Sequence, residues 1–151
     1  MHHAIEEIRI KAMCLFYHEG KILVSRGYDT VKKEHFFRVL GGTVNFFETA
    51  EVGVRREIQE ELQSGIEQLE FLEVIENLFI YRGGKGHQIT FLYTGTLARK
   101  ALYEQNPIHI VEETYEFDAE WVPVDDVLIN KIPLYPTANY RALFAIWKSR
   151  S

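Results

Sequence analysis

Apolar positions recur along this chain with two different periods, and the change from one to the other outlines the elements. Residues 8 to 17 (IRIKAMCLFY) and 21 to 26 (KILVSR) are β-rich runs flanking His18-Glu19-Gly20, a turn signal, so the pattern predicts a hairpin. Residues 27 to 37 read as a polar loop, followed by a short β-like run from Phe36 to Leu40 and the pair Gly41-Gly42. A helical period takes over from about Thr49 to Gln63, with Thr49 as one N-cap candidate and Glu48 or Phe47 fitting the boundary as well. Two long runs rich in Phe, Ile, Leu, Tyr and Thr, Leu69 to Tyr81 and Gln88 to Leu97, form a second predicted hairpin joined by Arg82 to His87. Phe117 to Val122 reads as a further strand, Asp125 to Leu128 as a short turn or helix, and Thr137 to Lys148 as a closing amphipathic helix. Strands interleaved with two substantial helices predict an α+β fold, a mixed sheet with helices packed on its faces.

Size and composition narrow the picture. The 151 residues suit one domain spanning 1–151, and 46% hydrophobic with 26% charged residues is the balance of a folded chain. No internal repeat or Pro/Ser-rich linker divides it. With 17 Lys and Arg against 22 Asp and Glu, the formal charge is -5, so no general positive field exists to draw in nucleic acid or an acidic membrane surface. An anionic ligand would need local help from a cation. The single cysteine, Cys14, lies in an apolar run and reads as a buried strand thiol, which points to a reducing compartment and a cytoplasmic protein. No run approaches the length of a membrane span, and Met1 to Glu7 is polar and acidic, unlike a signal peptide. The pair His2-His3 is given no role.

The chemistry concentrates in GGTVNFFETAEVGVRREIQEELQSG, residues 41 to 65. On a wheel of about 100° per residue, Ala50, Val54, Ile58 and Leu62 drift along one face, and Glu57 and Glu61 fall within about 20° of Ala50. Two acids therefore lie on the stripe that should be buried, with Glu60 on its flank. Like charges at these spacings repel, and carboxylates beside an apolar stripe are poorly hydrated, so a shared divalent cation removes the conflict. Hard oxygen ligands of this kind suit Mg²⁺ or Mn²⁺.

Here the sequence resembles the Nudix hydrolase family, whose box reads glycine, five residues, glutamate, seven residues, then Arg-Glu-aliphatic-any-Glu-Glu. Gly42, Glu48, Arg56, Glu57, Ile58, Glu60 and Glu61 each fill their place. The resemblance implies a Nudix-like mixed sheet sandwiched between helices. It implies that Glu57, Glu60 and Glu61 hold Mg²⁺ or Mn²⁺ and carry catalysis, with the Gly41 carbonyl as a further ligand. Glu48 and Arg56 would pair to hold the loop against the helix. The reaction implied is attack of a metal-activated water on a nucleoside diphosphate linked to another moiety. Glu57 is the first choice for the group that takes the water's proton. The box departs from the family where Gln63 and Ser64 replace glycine and an aliphatic residue, and where Leu40, Asn45 and Phe47 replace a frequent proline, glutamate and glycine. Phe46 and Phe47 thereby put two aromatics in the loop.

Other residues add less. Arg26 and Arg38 precede the box and are candidates for substrate phosphates. Glu112, Glu113 and Glu116 read as a solvated loop, with a further acid for the site as the other reading. Phe79, Tyr81 and Tyr93 read as core ahead of ring-stacking groups, and Tyr140, Leu143, Phe144 and Trp147 as core or contacts of a possible homodimer. The expected partner is a small nucleotide-like molecule. Two rivals stand beside the hydrolase: a catalytically weak Nudix-fold nucleotide-binding or sensor module, which loss of a metal-binding glutamate would favour, and a helical interaction protein that binds no metal. None of the box glutamates is lost.

Overall fold

The structure, a computed structural model, describes residues 6–150, so His2 and His3 lie outside the described residues. Its elements run β1 (Ile8–His18), β2 (Lys21–Asp29), β3 (Glu34–Thr43), α1 (Ala50–Leu62), β4 (Ile66–Tyr81) and β5 (Gly84–Leu97). A 3₁₀ turn over Lys100–Glu104 follows, then β6 (Ile108–Val111), β7 (Glu116–Pro123), α2 (Val124–Leu128), β8 (Leu134–Tyr135) and α3 (Tyr140–Arg150). The strands form one sheet in the order β4-β5-β1-β3-β2-β7-β6, with β8 on β3. It is mixed: β1 runs parallel to β5 and antiparallel to β3. The fold is α+β, as the periodicities predict.

Alternation along β1 sets up the layers. Ala12, Cys14 and Phe16 point into a core shared with Val54, Ile58 and Leu62 of α1. Met13 and Leu15 point the opposite way, into a second core with Tyr140 and Phe144 of α3. Helices therefore cover both faces of the sheet. The apolar face of α3 is core, with Trp147 against Tyr17. Cys14 is fully buried, and burial pushes its thiol well above the ordinary range, as expected of a strand thiol without a nucleophile's role.

The strand β3 positions the site. Its first half, through Val39, pairs with β2, and from Leu40 to Thr43 it pairs with β1. The two parts of the sheet part company at this step, next to Gly41-Gly42, leaving a cleft where backbone and α1 face each other. The helix starts where Thr49 caps it, its hydroxyl accepting from the Val52 N–H at 3.2 Å. It ends on Gln63, which takes the left-handed conformation (φ 52) that more often falls to glycine. Ser64, buried, donates to the Gly65 carbonyl and accepts from the Arg99 N–H, tying the helix end to the 3₁₀ turn.

Residues 27 to 37 depart from the expected loop. β2 continues to Asp29 and β3 begins at Glu34, with pairs such as Gly27 with Phe36 and Tyr28 with His35. Asp29 closes this hairpin, its carboxylate accepting from the N–H groups of Val31, Lys32 and, across the cleft, Arg82. The second hairpin turns on Arg82-Gly83 alone, both at positive φ, while Gly84 to His87 belongs to β5. Among the described residues no helix is long and apolar enough to cross a membrane.

Ile58 is fully buried at the contact of α1 with the sheet, whereas Val52 on the same helix is 54% exposed. Ile58→Ala is expected to cost about 2–5 kcal/mol of stability and Val52→Ala under about 1 kcal/mol, as measured by urea unfolding. Equal losses would contradict the packing described.

Candidate functional site

The loop between β3 and α1 is held by one side chain. Arg56 donates from Nε to Glu48 Oε2 at 2.8 Å and from Nη2 to Glu48 Oε1 at 2.9 Å, a two-pronged contact, and Nη2 also reaches the Thr43 carbonyl at 3.0 Å. Its Nη1 lies 3.0 Å from Glu57 Oε1 and 3.2 Å from Glu60 Oε1. Glu48 also accepts from the Asn45 N–H at 3.0 Å, and the Arg56 guanidinium beside it pulls its carboxyl down to about 2. The expected pairing of Glu48 with Arg56 is present, and it extends to the acids.

Two glycines let the helix come this close. Gly41 has φ 145, and a Cβ there would lie 2.3 Å from the Ala12 carbonyl oxygen. A Cβ on Gly42 would lie 2.3 Å from the Glu57 carboxyl carbon, so the Glu57 side chain occupies the space that any other residue would fill. Box spacing and local geometry agree here: a larger residue at position 42 would displace the carboxylate of the glutamate fifteen positions on.

Glu57 and Glu61, on consecutive turns of α1, meet Glu112 from the loop after β6, and one oxygen of each lies within 4.8 Å of the others. Glu61 Oε1 is buried without a hydrogen-bond partner. Burial, and then the charges of Glu57, Glu112 and Glu60, push the Glu61 carboxyl up to about 9, against the pull of the Gly41 N–H that donates to it. Burial also raises Glu57, against the nearby Arg56. Three converging carboxylates, one with an orphaned buried oxygen, fit a hard divalent cation such as Mg²⁺ or Mn²⁺. Glu60 is placed differently, exposed and resting on Arg56.

Glu112 is the member that sequence reading set aside as part of a solvated loop. Its N–H donates to the Tyr115 carbonyl at 2.9 Å, closing a tight turn, and the Tyr115 hydroxyl bonds its carboxylate; burial and that bond push the Tyr115 hydroxyl up to about 12. Glu113 points to solvent, and Glu116 lies 3.0 Å from His109 Nε2. The place of Glu112 in the sequence, shortly before the strand that holds Trp121, is shared with Glu113 and Glu116 and does not single it out.

The acids sit at one end of a cavity of about 620 Å³ running between the two parts of the sheet. Four cations line it: Lys11, Arg26, Lys32 and Arg38. Arg38 lies over the Phe36 ring at 5.4 Å. Both prongs of Arg26 are engaged by Glu120, at 3.0 and 3.3 Å. Lys11, missed in the sequence, donates to Thr43 Oγ1 at 3.0 Å, and burial with the neighbouring Arg9 and Arg38 charges lowers its pKa. Phe79 and Tyr81 line the far end, while Tyr93 is buried in the α1 core. Phe46 and Phe47 are 99% and 98% exposed on the loop, Phe47 at φ 67.

Comparison with known proteins follows the geometry. The fold is similar to that of the MutT NUDIX hydrolase from Burkholderia pseudomallei, 22% identical, covering 92% of this chain and 96% of that one with a TM-score of 0.54. It is also similar to an ADP compounds hydrolase, 16% identical over 93% of this chain and 71% of that one at a TM-score of 0.57. A third similar structure is the ORF135 protein of E. coli, 18% identical over 86% and 82% of the two chains at a TM-score of 0.51. No curated protein matches in sequence. The family description NUDIX domain matches residues 8–143, nearly the whole chain and all of the site, and the protein belongs to that family.

Proposed function

We propose that the protein hydrolyses a pyrophosphate linkage in a nucleoside diphosphate joined to another moiety. The observation that carries this reading is the orphaned oxygen of Glu61 within a converging set of three carboxylates at the mouth of a cation-lined cavity. Family membership and the fold shared with a MutT NUDIX hydrolase and an ADP compounds hydrolase support hydrolysis as the activity.

Glu57, Glu61 and Glu112 would hold Mg²⁺ or Mn²⁺, with Glu60 and the Gly41 carbonyl as further ligands. Glu60 shares the Arg56 nitrogen with Glu57, which keeps its carboxylate beside that member of the cluster. A bound divalent ion supplies charge neutralisation at the phosphates and lowers the pKa of a coordinated water. The chain's own work is threefold. Arg56 and Glu48 fix the loop so that Gly41 and Gly42 lie against α1. Lys11 and Arg38 face the phosphate oxygens, and Arg26 steadies the wall through Glu120. Glu57, half-buried and raised in pKa, takes the proton from the attacking water.

A release assay across pyrophosphate-linked nucleotides with Mg²⁺ tests the reading. Glu57→Gln, Glu61→Gln and Glu112→Gln are each expected to lower kcat/KM about a hundredfold or more, and the exposed Glu113→Gln to leave it within about twofold. Wild-type turnover by all three variants would defeat the proposed site.

The pH dependence of stability gives a second test. Glu61 titrates near 4.5 when unfolded and near 9 in the folded chain, so folding favours its protonated form. That contribution is complete below 4.5 and is lost as pH rises through 9. The melting temperature of metal-free protein is therefore expected to fall between about pH 5 and 9, with Mg²⁺ raising it more at about pH 9 than at about pH 6, and Glu61→Gln to flatten both trends. A Mg²⁺ shift that is independent of pH would count against a metal on Glu61.

A further inference from the structure

The α1 face of the sheet is covered over only part of its length. Ile8, Ile10 and Ala12 alternate onto that face of β1, Ala12 is level with Phe91 of β5, and Phe91 with Val74 of β4. Leu78 and Ile80 follow Val74 on the same side, level with His87 and Lys85. Ala12 is fully buried beneath α1, but away from the helix Ile8, Ile10, Phe71, Val74, Leu78 and Ile80 are all exposed, Leu78 by 70%. The loop between β3 and α1 overhangs the margin of this strip, where Ile10, Val44, Phe46, Ala50 and Phe91 help to line a recess of about 360 Å³. Phe46 and Phe47 stand beside it almost wholly in solvent.

Phe46 and Phe47 alone present about 300–500 Å² of apolar surface, and the six sheet residues a comparable amount. Together they reach the ~800 Å² per partner of a standard-size stable interface, and they exceed the patch of about 300–600 Å² that a monomer ordinarily leaves open. Phe47 adds a second sign. Its backbone is left-handed at φ 67, a conformation in which a side chain crowds the following carbonyl. Among the described residues its ring meets only that of Phe46, centroids 6.4 Å apart, so the single chain gains almost no burial in return.

Shape and charge select what covers the face. It carries both the protruding rings and a recess, so two copies related by a two-fold axis can satisfy each other, whereas an unrelated partner would have to supply both features. Edge-to-edge pairing of β4 is disfavoured, because the strand holds Glu67, Glu70, Glu73 and Glu76 and no Lys, Arg or His, and a second β4 would set acid against acid. The same strand and the formal charge of -5 repel an acidic membrane. The apolar face of α3 is taken up by the core. Glu76 and His87, within the exposed face, lie 3.3 Å apart, so covering them leaves neither without a partner. We propose that the protein associates as a two-fold dimer through the exposed α1-side face of β1, β4 and β5, with Phe46 and Phe47 of each copy seated against the recess of the other. The loop carrying these rings is the one that Arg56 and Glu48 hold beside the acids, so association steadies it from its outer side.

Sedimentation velocity across about 1–100 µM protein tests the dimer. Wild type is expected to sediment as a dimer at about 20 µM. The double variant Phe46→Ser/Phe47→Gly and the single variant Leu78→Glu are each expected to raise the dimer Kd about thirtyfold or more and to sediment as monomers at that concentration. Ile129→Ser, 69% exposed but outside the face, is expected to remain dimeric. Circular dichroism checks that each variant folds; should the loop variant fail, Leu78→Glu, at a position already in solvent, decides the matter. Wild type that stays monomeric at about 100 µM would overturn the dimer, and a dimer that neither face variant weakens would overturn the surface. Monomeric wild type that floats with phosphatidylcholine vesicles, and ceases to do so in Leu78→Glu, would assign the face to a membrane and overturn the proposal as well. The readout is mass, so each of these results stands whether or not the protein hydrolyses a pyrophosphate linkage.

Discussion

One guanidinium stands between the acidic helix and collapse of the loop beside it. Arg56 is shared by Glu48, Glu57, Glu60 and the Thr43 carbonyl, so it joins the end of β3, the loop and two turns of α1 at a single point. Contacts among exposed charges contribute little, but this one is half-buried and two-pronged at Glu48, the geometry in which such pairs hold their shape. Without it, Glu57 would face Glu61 and Glu112 with no ion-pair partner among the described residues, and Gly41-Gly42 would lose the anchor that keeps the backbone against the helix. The exposed position of Glu60 follows from the same interaction, since Arg56 draws it to the flank.

That constraint explains a second feature, the strand that changes partner. Because β3 leaves β2 at Val39 and joins β1 at Leu40, its last four residues are carried to the α1 side of the sheet. A flat, continuous sheet would bury Gly42 under its neighbours. The step opens the cleft instead, and the cavity runs along it from the acids to the tips of β4 and β5. Asp29, accepting from Arg82 across the gap, ties the two hairpin ends together and limits how far the cleft can widen.

The parts of the fold legible in the sequence were those with local signals. The period of α1 and the box spacing act within a few turns of one helix, while the helix start was legible only to within Phe47 to Thr49, and the placement of Glu57 and Glu61 beside the apolar stripe follows from the wheel alone. What could not be read depends on distant partners. β6 has four residues and β8 two, lengths at which no period can be recognised, and each exists because β7 or β3 supplies its hydrogen bonds. Residues 27 to 37 looked like a loop because Gly27, Asp29 and the lysines break the apolar pattern, yet cross-strand pairing and the Asp29 carboxylate hold them as a hairpin. Glu112 has the same explanation: nothing near it in sequence distinguishes it from Glu113, and only the pairing of β6 with β7 turns one inward and the other out.

The charges along the cavity differ in how much of each remains for a ligand. Arg26 has two of its nitrogens on Glu120, so its field is largely cancelled at the wall. Arg38 lies over the face of Phe36 and, among the described residues, its guanidinium makes no hydrogen bond, so the fork is open to a ligand. Lys11 has one donor on Thr43, a lowered pKa from burial, and the attraction of Glu57 and Glu61 working against that shift. An anion entering beside it favours the charged ammonium further, so its contribution grows on binding. On the proposed reading, then, an overall acidic protein meets polyphosphate through Arg38 and Lys11 together with the cation on the acids, and Arg26 serves chiefly as framework.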